Sequence, residues 1–325
     1  MSRQVFVTRQ IGEAVLHRLG SHATCVIHPG ESGPTRDELI RGLQGKEALL
    51  CTVTDPVDEE VIASAPDLRI ISNFGVGVNH IDIEAATRRG ILVTHTPGVL
   101  TDATADLTWA LLLDAARRVS EGDRLVRRGG WKGWTPTFML GTEVTGKTLG
   151  IIGMGRIGQE VARRASGFRM RILYHSRRRL APEKERELRA EYATPDRLLA
   201  EADFVSLHAP YTRETHHLIG KRELSLMKPG AILINTARGS LVDEQELVRA
   251  LKRGQIAAAG LDVYEREPEV HPELPGLEQV VLAPHLGSAT RETREAMAHL
   301  AVENLKAYFE GRRPPHPVNP EILPS

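Results

Sequence analysis

At 325 residues the chain is long for one domain and comfortable for two, each able to bury its own core. Lysine plus arginine and aspartate plus glutamate both number 42, so the formal charge is zero, which argues against a nucleic-acid binder and against attraction to anionic lipid. The opening MSRQVFVTRQ lacks the apolar segment of a signal peptide and no apolar run approaches the ~20 residues of a membrane span, so a soluble, cytoplasmic protein is expected.

Short apolar runs alternate with helical patterns along the chain. QVFVT (4–8), ALLCTV (48–53), LRIISN (68–73) and ILVTH (91–95) read as four strands of a parallel α/β unit. The two cysteines, Cys25 and Cys51, have neither disulfide-framework nor metal-ligand spacing, and read as small buried hydrophobes. Residues 101–128 contain no proline and one interior glycine, Gly122. Thr101 or Asp102 can cap the start of a helix there, and Gly129 with Gly130 can stop it. One helix of ~40 Å is predicted, long enough to link two domains.

The strand pattern restarts with TLGIIG, RILYH, DFVSLH, AILINTA, IAAAGLDV and QVVLAPH, separated by helices such as 243–253. A last long helix at 290–310 is expected to return to the first unit, and the proline-rich tail PPHPVNPEILPS to stay non-helical. The fold class is therefore α/β: two Rossmann-like or flavodoxin-like parallel-sheet domains with a cleft between them. The expected division is a discontinuous substrate-binding domain, 1–98 plus 287–325, and a dinucleotide-binding Rossmann domain, 99–286.

Gly153-Met154-Gly155-Arg156-Ile157-Gly158 fits G-x-G-x-x-G between a predicted strand and a predicted helix. Gly153 permits the tight turn, Gly155 the close approach of a pyrophosphate, and Gly158 helix–strand packing. An NAD-binding version carries an acidic residue about 20 positions on, to bond the adenosine ribose. Here 168–182 holds no acid, and LYHSRRR (173–179) offers Ser176 and Arg177 at the matching place. A hydroxyl and a guanidinium would bind a 2′-phosphate that a carboxylate would repel. NADPH is the preferred cofactor on this reading, and NADH is possible; a solvated basic loop is the plainer alternative.

Three further segments place polar groups at strand ends: NTARGSLVD with Arg238, LDVYEREPE with Asp262 and Glu267, and APHLGS with His285. Reducing a ketone by hydride needs a proton donor near neutral pH. A histidine fixed by a carboxylate meets that need, and an arginine can clamp a substrate carboxylate. Each residue also has a duller reading: His285 as a loop residue, Arg238 as a cap for the helix near Asp243, Glu267 as a solvated turn.

GMGRIG, LMKPGAILINTARGSLVDEQELVRAL, GLDVYEREP and LAPHLGSAT together resemble the D-isomer-specific 2-hydroxyacid dehydrogenase family over nearly the whole chain. ISNFGVGVNHIDIEAATRRGILVTHTPGVLTDATAD most resembles its glyoxylate/hydroxypyruvate reductase branch. The resemblance implies His285 as acid/base, Glu267 as its partner, Arg238 as the substrate-orienting cation, and backbone amides around Val76 and Gly77 as the site for the substrate carboxylate. It implies Asp262 as acceptor for the nicotinamide carboxamide, with Thr104, Arg156, Ile157, Pro210, Thr215, Thr236 and Gly287 lining the cofactor. Leu50, Val76 and Trp134 would shape the pocket for a small 2-keto acid. A homodimer is implied too, packed through the excursion GGWKGWTPTFML, whose Trp131 and Trp134 would otherwise be core or anchoring residues. The framework is shared with 2-ketogluconate reductase and other D-2-hydroxyacid dehydrogenases, and with a corepressor-like dinucleotide-sensing scaffold.

Overall fold

The computed structural model describes residues 3–30 and 32–323. It divides the chain into two compact units: one runs up to Leu100 and resumes at Thr290, the other is Thr101–Ala289. These seams lie within three residues of those expected at 98/99 and 286/287.

The first unit is built on a parallel sheet of β1 (Arg3–Val7), β2 (Ala23–Ile27), β3 (Ala48–Thr52), β4 (Ile70–Phe74) and β5 (Leu92–Thr94), ordered β2-β1-β3-β4-β5. Four of these strands were anticipated; β2 was not. It is an edge strand whose residues alternate between half-buried and exposed, so ATCVI carries no continuous apolar signal. Cys25 lies on it half-buried, unlike Cys51, which is fully buried on β3 as expected; both are free thiols. The helix Arg291–Phe309 begins at its Thr290 cap and packs on β4, where the Ser72 hydroxyl donates to the Ala301 carbonyl at 2.9 Å. The tail is not wholly irregular: it makes an antiparallel bridge from Pro317 to Thr94 and one 3-10 turn, Pro320–Ile322.

The second unit holds a seven-stranded parallel sheet: β6 (Thr148–Ile152), β7 (Arg171–His175), β8 (Ala190–Tyr192), β9 (Phe204–Leu207), β10 (Ile232–Asn235), β11 (Ala258–Leu261) and β12 (Val280–Leu282). Its order is β12-β11-β10-β9-β6-β7-β8, so the winding reverses between β6 and β9. Ligands of open α/β sheets bind beyond the strand ends at such a reversal. Successive strand residues enter opposite cores: Leu149, Ile151, Ile232 and Ile234 one, Val205, Leu207, Leu233 and Leu261 the other. Both faces are covered, which is why these strands read as continuous apolar runs. The three-residue AEY of β8 was too short and too polar to be anticipated.

The single long helix expected over 101–128 is two helices, Thr101–Arg117 and Val119–Arg127, broken at Arg118 (φ 56°, ψ 38°). The Asp114 carboxylate captures both the amide and the hydroxyl of Ser120, and the Arg118 guanidinium pairs with Glu121. These side chains offer the backbone an alternative to the helical ladder. The first helix belongs to the second unit, as the expected division at 99 has it, and Thr108, Leu111, Leu112 and Ala115 are buried as it packs on β10 and β11. No helix of the described residues is long and apolar enough to cross a membrane.

Candidate active site

The glycine turn forms as expected, and its geometry assigns each glycine a task. Gly153 has φ 99°, and a Cβ there would strike the backbone of His208 and Ala209 beyond β9. A Cβ on Gly158 would overlap the Gly153 carbonyl oxygen, so this glycine sets the helix Arg156–Ala165 against the turn. A Cβ on Gly155 would meet nothing within 4 Å. Gly155 is also the cap residue of a helix with no acidic group in its first turn, and Arg156 and Ile157 follow as its first residues. The donors and dipole at that helix start are those a pyrophosphate takes, and the backbone leaves room for it.

After β7, His175 is tied by Nδ1 to the Ala193 carbonyl at 3.1 Å. Ser176 is half-buried; Arg177, Arg178 and Arg179 are exposed. The three arginines are not equivalent. Arg179 is committed to Glu185 at 2.8 Å and lies over the Tyr192 ring. Arg177 forms no ion pair among the described residues, and no acidic residue stands between 168 and 182.

Opposite the turn, Thr215 organises the loop after β9: its hydroxyl donates to the Pro210 carbonyl at 2.9 Å and accepts the Thr212 amide at 2.7 Å. His208, which sequence reasoning passed over, lies between. Burial pushes its imidazole down to about 3, and Nε2 shares a hydrogen bond with the Ser206 hydroxyl at 2.8 Å, so it is a neutral group beside the turn. The Thr104 hydroxyl donates to the Gly287 carbonyl at 3.0 Å, and Thr108 joins the Thr236 hydroxyl at 2.8 Å.

The candidate reactive groups Arg238, Glu267 and His285 converge within this second unit. His285 Nδ1 donates to Glu267 Oε2 at 2.7 Å, and Glu267 Oε1 accepts the Tyr264 amide at 3.1 Å. Burial pushes the Glu267 carboxyl up, but the His285 bond and charge, the Tyr264 amide and the Arg238 charge outweigh it, leaving it below its ordinary value. Arg238 is half-buried on the turn after β10. Burial lowers its guanidinium value while Glu267 pulls the other way, and it remains a cation. The helix Glu244–Lys252 is capped by Asp243 itself rather than by Arg238. Gly239 makes this meeting sterically possible, since a Cβ there would collide with the Tyr264–Glu265 backbone.

His285 sits at φ 55°, a conformation that favours glycine. Asp262 holds it there. The His285 amide donates to the Asp262 carbonyl at 2.9 Å, and the buried carboxylate takes the Leu286 and Gly287 amides at 2.6 and 2.8 Å. Both carboxylate oxygens are therefore engaged by the turn that carries the histidine. Burial pushes this carboxyl up to about 6, against the Leu286 amide, the His285 charge and the Gly287 amide. The sign is unusual for an acid: the buried charge costs stability above that value, and the cost is relieved as pH falls. What is lost on protonation is the second acceptor for the turn. Turnover should therefore fall below about pH 6, whereas Asp262→Asn, with one acceptor at any pH, should be about tenfold slower and show no such acid limb. A pH profile of the two proteins checks this.

In the first unit, Val76 and Gly77 are half-buried on the loop after β4. Leu50 is fully buried on β3 and has no exposed surface, so it acts on a ligand only through what it supports. Trp131 and Trp134 are not core residues, being 57% and 78% exposed in a stretch without helix or strand. No group of acidic, histidine or cysteine side chains among the described residues could hold a metal.

Comparison with known proteins agrees with the fold. Residues 109–287 match the model of the D-isomer specific 2-hydroxyacid dehydrogenase NAD binding domain. A glyoxylate reductase from Thermococcus litoralis is 53% identical, over 100% of this chain and 99% of the relative. A crystal structure of a Thermus thermophilus protein superposes with a TM-score of 0.90 at 50% identity, covering 97% of this chain and 99% of that one. An NADPH-dependent glyoxylate/hydroxypyruvate reductase from Sinorhizobium meliloti, solved with NADP and malonate, gives 0.89 at 34% identity, covering 100% and 99%. With a two-sheet α/β fold, a dinucleotide turn and full-length likeness to reductases, the chain belongs to the D-isomer-specific 2-hydroxyacid dehydrogenases.

Proposed function

We propose that this enzyme reduces small 2-keto acids, glyoxylate and hydroxypyruvate foremost, with NADPH as its preferred cofactor and NADH as a weaker one. The observation that carries the reading is the 2.7 Å bond from His285 to Glu267. When bound, the reduced nicotinamide supplies a hydride to the substrate's carbonyl carbon. The carbonyl oxygen then needs one proton. With Nδ1 engaged by Glu267, which fixes the ring's orientation, His285 delivers it from Nε2. Arg238 orients the substrate and polarises its carbonyl, while the amides of Val76 and Gly77 take the carboxylate.

For the cofactor, Gly153, Gly155 and Gly158 shape the pyrophosphate turn, with Arg156 and Ile157 opening the helix behind it. Ser176 and Arg177 take the 2′-phosphate. Thr104, Pro210, Thr215, Thr236 and Gly287 line the nucleotide, and Asp262, beyond holding the His285 turn, faces the nicotinamide carboxamide. The names of the relatives support both substrate and cofactor. Loss of reduced-nicotinamide absorbance with glyoxylate or hydroxypyruvate tests the reading directly. No turnover with any 2-keto acid would overturn it in favour of a dinucleotide-sensing scaffold.

The same reading includes a homodimer. Val119, Val126, Trp131, Trp134, Phe138 and Leu140 are large apolar side chains exposed within one stretch of the second unit, more than isolated surface hydrophobes require. Trp134 would then help to select the substrate. Light scattering should return twice the mass of the chain; a monomer at micromolar concentration would reject the dimer.

A further inference from the structure

The loop Gly75-Val76-Gly77-Val78 is held from behind by two side chains that the reaction itself does not use. Asn73, fully buried near the end of β4, donates from Nδ2 to the Gly75 carbonyl at 3.1 Å and to the Gly77 carbonyl at 2.9 Å. The carbonyl between them, that of Val76, is 3.0 Å from His95 Nδ1. A carbonyl only accepts, so Nδ1 carries the proton. The Thr96 amide adds a second bond to the Gly75 oxygen at 3.0 Å. His95 is itself anchored, its carbonyl accepting Asn304 Nδ2 at 3.1 Å and its amide donating to the His316 carbonyl at 3.2 Å.

Three successive carbonyls are thus drawn back. In a trans peptide the carbonyl and the following N–H point in opposite directions. The amides of Val76 and Val78 therefore point away from Asn73, and that of Gly77 away from His95. Among the described residues, none of the three donates a hydrogen bond. The Asn73 amide cannot turn over without setting its oxygen against two carbonyls. As it stands, Oδ1 is buried and accepts nothing among the described residues. A buried acceptor left unused to hold a loop of unused donors indicates a loop set for an anion.

We propose that Asn73 and His95 are positioning residues that preset the amides of Val76, Gly77 and Val78 as the cradle for the substrate carboxylate. This rests on the proposed function and adds to it the Val78 amide and the two side chains that aim the loop. The test uses the whole enzyme, glyoxylate kinetics, and oxalate binding by calorimetry in the presence of NADP. Asn73→Asp keeps the shape but cannot donate to either carbonyl. It should raise the glyoxylate KM and the oxalate Kd together, by about 10- to 100-fold, with kcat and the NADPH KM changed less than about threefold.

His95→Leu should do the same, and His95→Asn, which keeps a donor near the Nδ1 position, should restore most of the loss. The histidine pair decides the matter if Asn73→Asp does not fold. Unchanged KM and Kd, or a fall in kcat alone, would overturn the proposal. Wild-type protein that binds oxalate, loses it in these variants and yet turns over no keto acid would reject the proposed function and leave the cradle standing.

Discussion

His285→Asn should lower the turnover of glyoxylate by about 10²–10⁴-fold, the usual worth of a positioned general acid, while NADPH binds as before. The reason is the division of labour at the imidazole. Nδ1 is engaged by Glu267 at 2.7 Å, whereas Nε2 makes no hydrogen bond among the described residues and is the nitrogen left to give a proton. An Asn side chain can still meet Glu267 but has no proton to transfer near neutral pH. Steady-state kinetics together with fluorescence titration of the cofactor separate the two effects. Turnover within a fewfold of wild type would remove His285 from the reaction.

The second large effect is expected at the end of β7. Ser176→Asp combined with Arg177→Ala replaces a hydroxyl and a cation by an anion where the 2′-phosphate is proposed to bind. Loss of one charge-assisted contact is worth about 1.5–3 kcal/mol, and the new carboxylate adds repulsion. The kcat/KM for NADPH should fall about 100-fold or more, while that for NADH holds or rises because the carboxylate can accept from the ribose hydroxyls. Arg179→Ala is the internal control. Its guanidinium is already bound to Glu185, so it should move the cofactor ratio little. An unchanged ratio in the double variant would return Ser176 and Arg177 to the status of a solvated loop.

Much of this molecule is visible in local patterns. The glycine turn and the strand before it are legible because chain stiffness and helix amides act over a few residues, and Gly153, Gly155 and Gly158 need no distant partner to be recognised. Buried parallel strands such as β10 and β11 announce themselves as apolar runs for the same reason. Arg238, Glu267 and His285 stand out only as a set, each being ordinary alone. Edge strands β2 and β8, and the helix break at Arg118, escape such reading. Their signals are weak alternation in one case and side-chain capture of a backbone by Asp114 in the other.

The sequence by itself therefore determined the fold class and the dinucleotide turn, and it singled out the side chains proposed to react, since each follows from short-range periodicity or residue chemistry. Only the tertiary structure decided how they are held. The Asp262 carboxylate locks the His285 turn, Gly239 admits the backbone crossing that brings Arg238 towards Glu267, and Asn73 with His95 draws back one loop from two strands. The Asp262, Gly239 and His95 contacts join residues 19 to 25 positions apart through hydrogen bonds and close approaches that leave no spacing rule along the chain, because folding, not sequence order, sets the distances.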